Sequence, residues 1–361
     1  MAHQIEAKDN MVYVGATPWH GLGQQIPQGT NPDQIAEMIG ANIPIEKRRV
    51  YVRQSAETSG LMNIPNVFAV MRQSDHQYYG VVSERYHVVQ NPEILGFFKE
   101  YTEAGDMHME TAGTLRNGGV IWALANINSS FTLAGGDKVG GYVLLANSHD
   151  GTITFQGMFT SIRVVCHNTL SAAIGSRSGK MFKFKHSKKI TPEVIADAKR
   201  TMGLAKSQME RMSEWAYPLS EARVTLPEAL VYVGLLTDKK GLQDKANELN
   251  VLDTRVGDIL TAKYNPTPDQ MKFMIDLLGS KLQVNDLNRV GQSVISSSLD
   301  SPGASLASAR GTWWGLVNGV THHVDHEAGR SNDTSLYSAW FGVGASLKEQ
   351  AAQVAYAYIK R

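Results

Sequence analysis

The stretch VGGYVLLANSHDGTITFQGMF, residues 139–159, decides the fold class. Residues 139–146 form an apolar run of strand length. Ser148-His149-Asp150-Gly151 follows as a hairpin turn with Asp-Gly at its tip. Residues 151–159 then resume as a strand, and Thr152-Ile153-Thr154-Phe155 alternates polar with apolar. Two strands joined by so short a turn must be antiparallel. Upstream, Gly113-Thr114-Leu115-Arg116-Asn117-Gly118-Gly119 reads as another hairpin turn, feeding a strand over 119–127. Arg116 at its tip is read as a solvent-exposed turn residue. Further strands are predicted at 48–54, 66–72, 78–83 and 180–186.

The second half reads differently. Asn31-Pro32-Asp33-Gln34, Thr225-Leu226-Pro227-Glu228 and Thr267-Pro268-Asp269-Gln270 read as capping boxes, in which an asparagine or threonine oxygen accepts from a backbone N–H that the first helical turn leaves unpaired. Asn91-Pro92-Glu93 and Thr191-Pro192-Glu193 are looser versions. Helices are predicted at 32–40, 92–104, from Thr191 to about Trp215, at 226–236, 242–250 and 268–280, and from Ser346 to Lys360. Gly291 to Gly311, rich in Ser, Gly and Ala, reads as a mobile loop or linker. The expected class is α+β: a strand-rich N-terminal half with an antiparallel sheet (1–190) and a mainly helical C-terminal half (191–361) packed on it.

No apolar run reaches the length of a membrane span, and the N-terminus lacks the basic flank and apolar stretch of a signal peptide. Cys166 is the single cysteine, which excludes an internal disulfide framework and fits a reducing cytoplasm.

The formal net charge is +1, yet Gly151 to Pro192 holds seven Lys/Arg and no acid: Arg163, Arg177, Lys180, Lys183, Lys185, Lys188 and Lys189. Charge gathered locally in a neutral chain is a binding footprint. In Met181-Phe182-Lys183-Phe184-Lys185 the alternation puts both phenylalanines on one face, read as the core side, and both lysines on the other. Same-face lysines stand about 6–7 Å apart, comparable to phosphates on an extended strand. The plainer reading is a solvated edge that discourages strand pairing. Lys47, Arg48, Arg49 and Arg53 form a second cluster, whose weight depends on whether it folds against the first.

Thr17-Pro18-Trp19-His20-Gly21-Leu22-Gly23 can aim Trp19 at a base, or else plug it into the core. Cys166-His167 is a poor nucleophile–base pair, because adjacent side chains point apart, and no catalytic residue is assigned. In the string 312–326, Trp313, Leu316, Val317, Val320 and Val324 form an apolar stripe. His322 and His326 fall opposite it, read chiefly as helix surface; with Asp325 or Glu327 nearby they can bind a divalent metal.

PWHGLG at 18–23, RxVCxNT at Arg163–Thr169 and TWWGLVNGVTHHVDH at 312–326 together resemble the phage/plasmid-like DUF932 family across nearly the whole chain. The resemblance implies a gene context of phages, prophages and plasmids, where DNA replication and recombination are frequent tasks; it carries no activity. A more remote, fold-level similarity is to Rad52-like single-strand annealing proteins, from which no site residue is carried over.

The expected function is non-catalytic binding of single-stranded DNA, or its annealing, by a homo-oligomer in the cytoplasm of a bacterial host, with no cofactor. One alternative is a structural or protein-interaction component of a phage or plasmid system. Another is a metal-dependent nuclease built on His322 and His326.

Overall fold

The computed structural model describes residues 11–15, 23–54, 60–97, 107–163, 168–170, 180–186, 196, 200, 205–328 and 335–361. They are α+β, with most strands in the N-terminal half and most helices in the C-terminal half. In chain order come β1 (Met11–Val14), β2 (Gln24–Ile26), α1 (Pro32–Met38), β3 (Ile45–Arg53), β4 (Leu61–Arg72), β5 (Tyr78–Ser83) and α2 (Asn91–Gly96). β6 (His108–Leu115), β7 (Val120–Leu133), β8 (Asp137–Ser148), β9 (Phe155–Arg163), β10 (Asn168–Leu170) and β11 (Lys180–Phe184) follow. The helical half contains α3 (Ala205–Glu221), α4 (Leu226–Thr237), α5 (Lys239–Glu248), α6 (Thr254–Thr261), α7 (Pro268–Leu278), α8 (Arg289–Asp300), α9 (Trp313–His322), α10 (Ser335–Phe341) and α11 (Val343–Ile359).

The strands form two sheets. The larger runs β10-β9-β8-β7-β6-β1-β2, with β11 also on β9; the smaller runs β3-β4-β5. All pairs are antiparallel except β1 with β2. Alternation along β7 and β8 gives the large sheet two apolar faces. Ile121, Ala123, Val143 and Leu145 turn toward the helices, into a core that also holds Met209, Met212, Tyr232, Trp313 and Tyr358. Trp122, Leu124, Leu144 and Ala146 turn the other way, where Trp340 of α10 packs on Trp122 at 5.0 Å between ring centroids.

The local signals for helix starts hold where they are reciprocal. Thr225 and Thr267 close full capping boxes with Glu228 and Gln270, whereas Asn31 caps α1 by accepting from the Asp33 N–H and does not form the expected box with Gln34. At α2 the cap is Gln90 rather than Asn91, which lies inside the helix and is buried. α3 runs past Trp215, through Pro218 to Glu221. Packing carries it on: Trp215 stacks on Tyr356 at 4.2 Å, and Ala216 and Leu219 are buried. β4 begins before Pro65, which falls in a break in register between Asn63 and Phe68 where no ladder hydrogen bond is needed.

The stretch Gly291 to Gly311 is not a mobile loop. α8 occupies Arg289–Asp300, and the turns that follow bury Ala304, Ser308 and Ala309. The small residues serve close packing. A Cβ on Gly319 of α9 would stand 2.7 Å from the Val294 carbonyl oxygen and 2.9 Å from the Ser298 nitrogen of α8. α9 is correspondingly buried from Trp313 to Thr321 on every side, not along one stripe. Among the described residues no helix is long and apolar enough to cross a membrane.

Candidate functional site

Among the described residues little covers the three-stranded sheet. Ile45, Val70 and Tyr86 form its small core, while Tyr51, Val52, Leu61, Met62, Tyr78 and Val81 are exposed, Leu61 to 67%. Its strands carry Lys47, Arg48, Arg49, Arg53 and Arg72 against a single acid, Glu46. The register places Arg53 opposite Leu61, Val52 opposite Met62, and Arg49 opposite Phe68, which in turn faces Val82. Directly opposed residues share a face and consecutive pairs take opposite faces, so Arg53 with Leu61 lies on one face and Val52 with Met62 on the other.

These cations differ in what they touch. Lys47 lies 5.0 Å over the Phe68 ring and donates from Nζ to the carbonyl oxygens of Glu84 (2.9 Å) and Tyr86 (2.7 Å). Arg48 Nε donates to Glu46 Oε1 at 2.7 Å. Arg72 forms a two-pronged pair with Asp75 and reaches the Asn117 carbonyl oxygen at 3.2 Å. The hydrogen bonds from Arg72 hold the Asp75 carboxyl well below its usual range. Arg49 and Arg53 are exposed and form no ion pair among the described residues.

Of the basic window, Lys183 in β11 and Lys185 just past its end are exposed on one side, while Phe182 is buried and Phe184 half-buried on the other, as the alternation requires. Phe182 packs on Phe155 and Phe97 at 5.5 and 6.0 Å between centroids. Arg163 closes β9 and Lys180 opens β11. The side chains of Arg163 and Lys180, and Arg177, Lys188, Lys189, Trp19 and Cys166 altogether, lie outside the described residues.

The two basic groups meet through the segment after β5. The Tyr86 carbonyl receives Lys47, its ring stacks on His186 at 4.5 Å, and His186 adjoins Lys185. His87 N–H donates to the His186 carbonyl at 2.6 Å. The Tyr86 hydroxyl donates to the Ser148 carbonyl at 3.1 Å. This junction also encloses His149, whose Nε2 lies 2.7 Å from Asn91 Oδ1. Burial, together with the nearby His186, lowers the His149 pKa to about 4. Arg116 is not a free turn residue: its Nη1 donates to Asp150 Oδ2 at 2.9 Å. Burial pulls the Asp150 carboxyl up, but hydrogen bonds from Thr152, Ser148 and Arg116 outweigh it and leave the group below its ordinary pKa.

The histidine turn at the end of α9 is a short π-helix, His323–Glu327, a geometry frequent at functional sites. His322 and His326 are brought together, rings 4.5 Å apart, and both are half-buried or more rather than helix surface. His322 Nε2 lies 3.8 Å from Glu327 Oε1. Glu327 also accepts from Ser297 Oγ at 2.8 Å and from Ser293 Oγ, which itself lies 2.6 Å from His323 Nδ1. Burial raises the Glu327 carboxyl, but these donors more than offset it. Asp325 is taken by the buried Lys348, at 2.7 Å. Among the described residues no group of three or more His, Cys, Asp or Glu is arranged to hold a metal ion.

The family model described as "Domain of unknown function (DUF932)" matches residues 78–340, from the first residue of β5 into α10. The chain belongs to the DUF932 family. That match spans the large sheet from β6 onward, the histidine junction and the histidine turn of this DUF932 protein, and leaves β3 and β4 before it. No curated protein and no solved structure matches the chain.

Several residues of these sites carry no local signal. Tyr51, Tyr78 and Arg72 matter because few of the described residues cover the small sheet, and no sequence pattern encodes that. Asn147, His149 and His186 lie in ordinary strand and turn contexts. Ser293 and Ser297 sit in the stretch read as a linker; their spacing of four on α8 was the available signal.

Proposed function

We propose that this DUF932 protein binds single-stranded DNA without catalysis, across the three-stranded sheet and the adjoining edge of β11. The observation that carries the reading is that exposed Arg49, Tyr51 and Arg53 alternate along one face of β3, with exposed Leu61 opposite Arg53, on a sheet that few of the described residues cover. Lys183 in β11 and Lys185 just past it lead into His186, which the segment after β5 touches. Single-strand binders combine cations for phosphates with aromatic platforms for bases, and both are presented here. Arg163, Arg177, Lys180, Lys188 and Lys189 would lengthen the track, and Trp19 would add a stacking group. A homo-oligomer would extend the track along a long strand, and annealing in phage or plasmid recombination or replication, in a bacterial cytoplasm, is the role it would serve.

Fluorescence anisotropy with labelled single-stranded DNA, duplex DNA and RNA, each titrated with salt, tests the reading. Tightest binding to single-stranded DNA with a steep salt dependence is expected. Affinity that is flat in salt, or no binding, removes it.

A second reading, a protein-interaction component, is favoured by one observation: Val52, Leu61 and Met62 cluster exposed at the end of the β3–β4 hairpin. It predicts assembly without DNA and no measurable DNA affinity.

A further inference from the structure

The small sheet ends on one side at β3, and the hydrogen bonds at the two ends of that strand fix the direction of the backbone groups between them. At the start, the Gln73 N–H donates to the Pro44 carbonyl at 2.9 Å. Residue 44 therefore belongs to a hydrogen-bonded pair, and Ile45, opposite Arg72, to a non-hydrogen-bonded one. At the far end, the Gln54 N–H donates to the Gly60 carbonyl at 3.1 Å, so Arg53, opposite Leu61, is again a non-hydrogen-bonded residue. Such residues point N–H and C=O away from the partner strand. Counting inward by twos from each end, Lys47 and Arg49, then Tyr51 and Arg53, all turn their backbone groups outward from β4.

The first outward position is filled. The Gln90 side chain accepts from the Ile45 N–H at 3.0 Å and donates to the Ile45 carbonyl at 2.9 Å, the two bonds that a neighbouring strand makes. Beyond it, no strand among the described residues pairs with the outer edge of β3 at Lys47, Arg49, Tyr51 or Arg53. An exposed edge of this kind is a template for another chain.

Charge selects the occupant. A second copy is disfavoured. Two-fold antiparallel pairing of β3 with itself about Arg49, Val50 or Tyr51 sets Arg49 against Arg49, Lys47 against Arg53, or Arg49 against Arg53. Like charges directly opposed are destabilising. A strand carrying carboxylates meets attraction instead. Arg49 and Arg53 are exposed on the same face of β3 and form no ion pair among the described residues, while Val50 and the exposed Val52 take the opposite face. We propose that the outer edge of β3 binds an extended segment of a partner protein in which acidic and apolar residues alternate, adding a strand to the small sheet. Backbone bonds to Lys47, Arg49, Tyr51 and Arg53 hold the segment, its acids face Arg49 and Arg53, and its apolar side chains cover Val50 and Val52. The pairing does not require DNA, and its acids occupy the two arginines that the nucleic-acid reading uses.

Fluorescence anisotropy of the full chain with two labelled synthetic peptides, one alternating Glu with Val and one alternating Lys with Val, tests the proposal. Only the Glu–Val peptide is expected to bind. Methylating every second backbone nitrogen of that peptide should abolish binding for one of the two alternate sets and spare it for the other, because only one set of N–H groups faces β3. Tyr51→Pro removes an outward N–H that β4 does not use, and should weaken binding roughly tenfold. The Arg49→Glu/Arg53→Glu variant should exchange its preference for the Lys–Val peptide. That is a gain, so it decides the question even where Tyr51→Pro fails to fold. The proposal is overturned if the Glu–Val peptide does not bind, if the two methylated forms bind alike, or if the charge-reversed variant still prefers Glu–Val. It also falls if the chain self-associates and Tyr51→Pro dissolves the assembly, since the edge then belongs to a second copy. Single-stranded DNA in a parallel titration keeps the two readings apart: DNA binding without peptide binding removes this proposal alone, and peptide binding without DNA binding removes only the DNA reading.

Discussion

The indole Nε1–H of Trp314 donates at 3.0 Å to Oδ2 of Asp137, a carboxylate with no exposed surface. Ser308 Oγ donates to the same oxygen at 2.6 Å. Asp137 opens β8 and Trp314 lies in the first turn of α9, so this pairing fastens the helical half to the large sheet. Trp314→Phe keeps most of the ring and removes one donor to a charged group, and should lower stability by about 2 kcal/mol. Asp137→Ala strands both donors in the core and should cost more, about 3 kcal/mol or above. Urea unfolding midpoints at neutral pH check both, and equal effects from the two variants would contradict the shared-acceptor account.

A pH dependence of stability follows from His149. The fold holds this imidazole neutral, with its pKa lowered to about 4 by burial and by His186. The unfolded chain takes up the proton near pH ~6.5. Stability from this group is therefore complete above about pH 6.5 and declines as the pH falls toward 4, by about 3 kcal/mol over that window. His186 is shifted the same way by burial. Thermal unfolding near neutral pH and again in mild acid, just above the folded-state pKa, should show the loss in wild type and a smaller one in His149→Gln, which cannot titrate.

Under the proposed function, Arg49→Glu with Arg53→Glu should weaken single-stranded DNA binding and flatten its salt dependence, by roughly 0.7 in slope for each phosphate no longer neutralised. Lys47→Ala should act otherwise. Its ammonium is spent on the Glu84 and Tyr86 carbonyls, so it should lower the thermal midpoint more than it weakens binding. Anisotropy and melting curves on the same preparations separate the two behaviours.

Two glycines in helices should respond with opposite signs. Gly319→Ala drives a methyl into the α8 backbone and should destabilise by about 1–3 kcal/mol. Gly257→Ala, in α6, meets nothing within 4 Å and should stabilise by about 0.5–1 kcal/mol through the unfolded chain. Guanidinium titration of both variants reads the difference.

What is legible in the sequence is what neighbours in the chain decide. The boxes at Thr225 and Thr267 need only residues three apart, and the Phe182–Lys185 alternation needs only the pleat. The departures come from partners far along the chain. Gly, Ser and Ala between 291 and 311 look like a linker until α9 is laid against them, when the absence of side chain becomes the condition for close approach. Arg116 looks free until Asp150 arrives from the next hairpin. His322 and His326 look external because a helical wheel knows nothing of α8 and α11 behind them. The small sheet is the reverse case: its apolar residues suggest a core, yet several of them are exposed because few of the described residues cover it.

The edge formed by β1 and β2 bears on the order in which the molecule assembles. β6 through β9 zip by successive hairpins between chain neighbours, whereas Met11 must find Gly113, roughly 100 residues away, to add β1. Long closures are slow, so the four hairpin strands should gain protection against hydrogen exchange early and the N-terminal pair should dock last. A ribosome releasing this chain thus hands over its first strands long before their docking edge exists, and they must wait, unpaired, for β6 to be made.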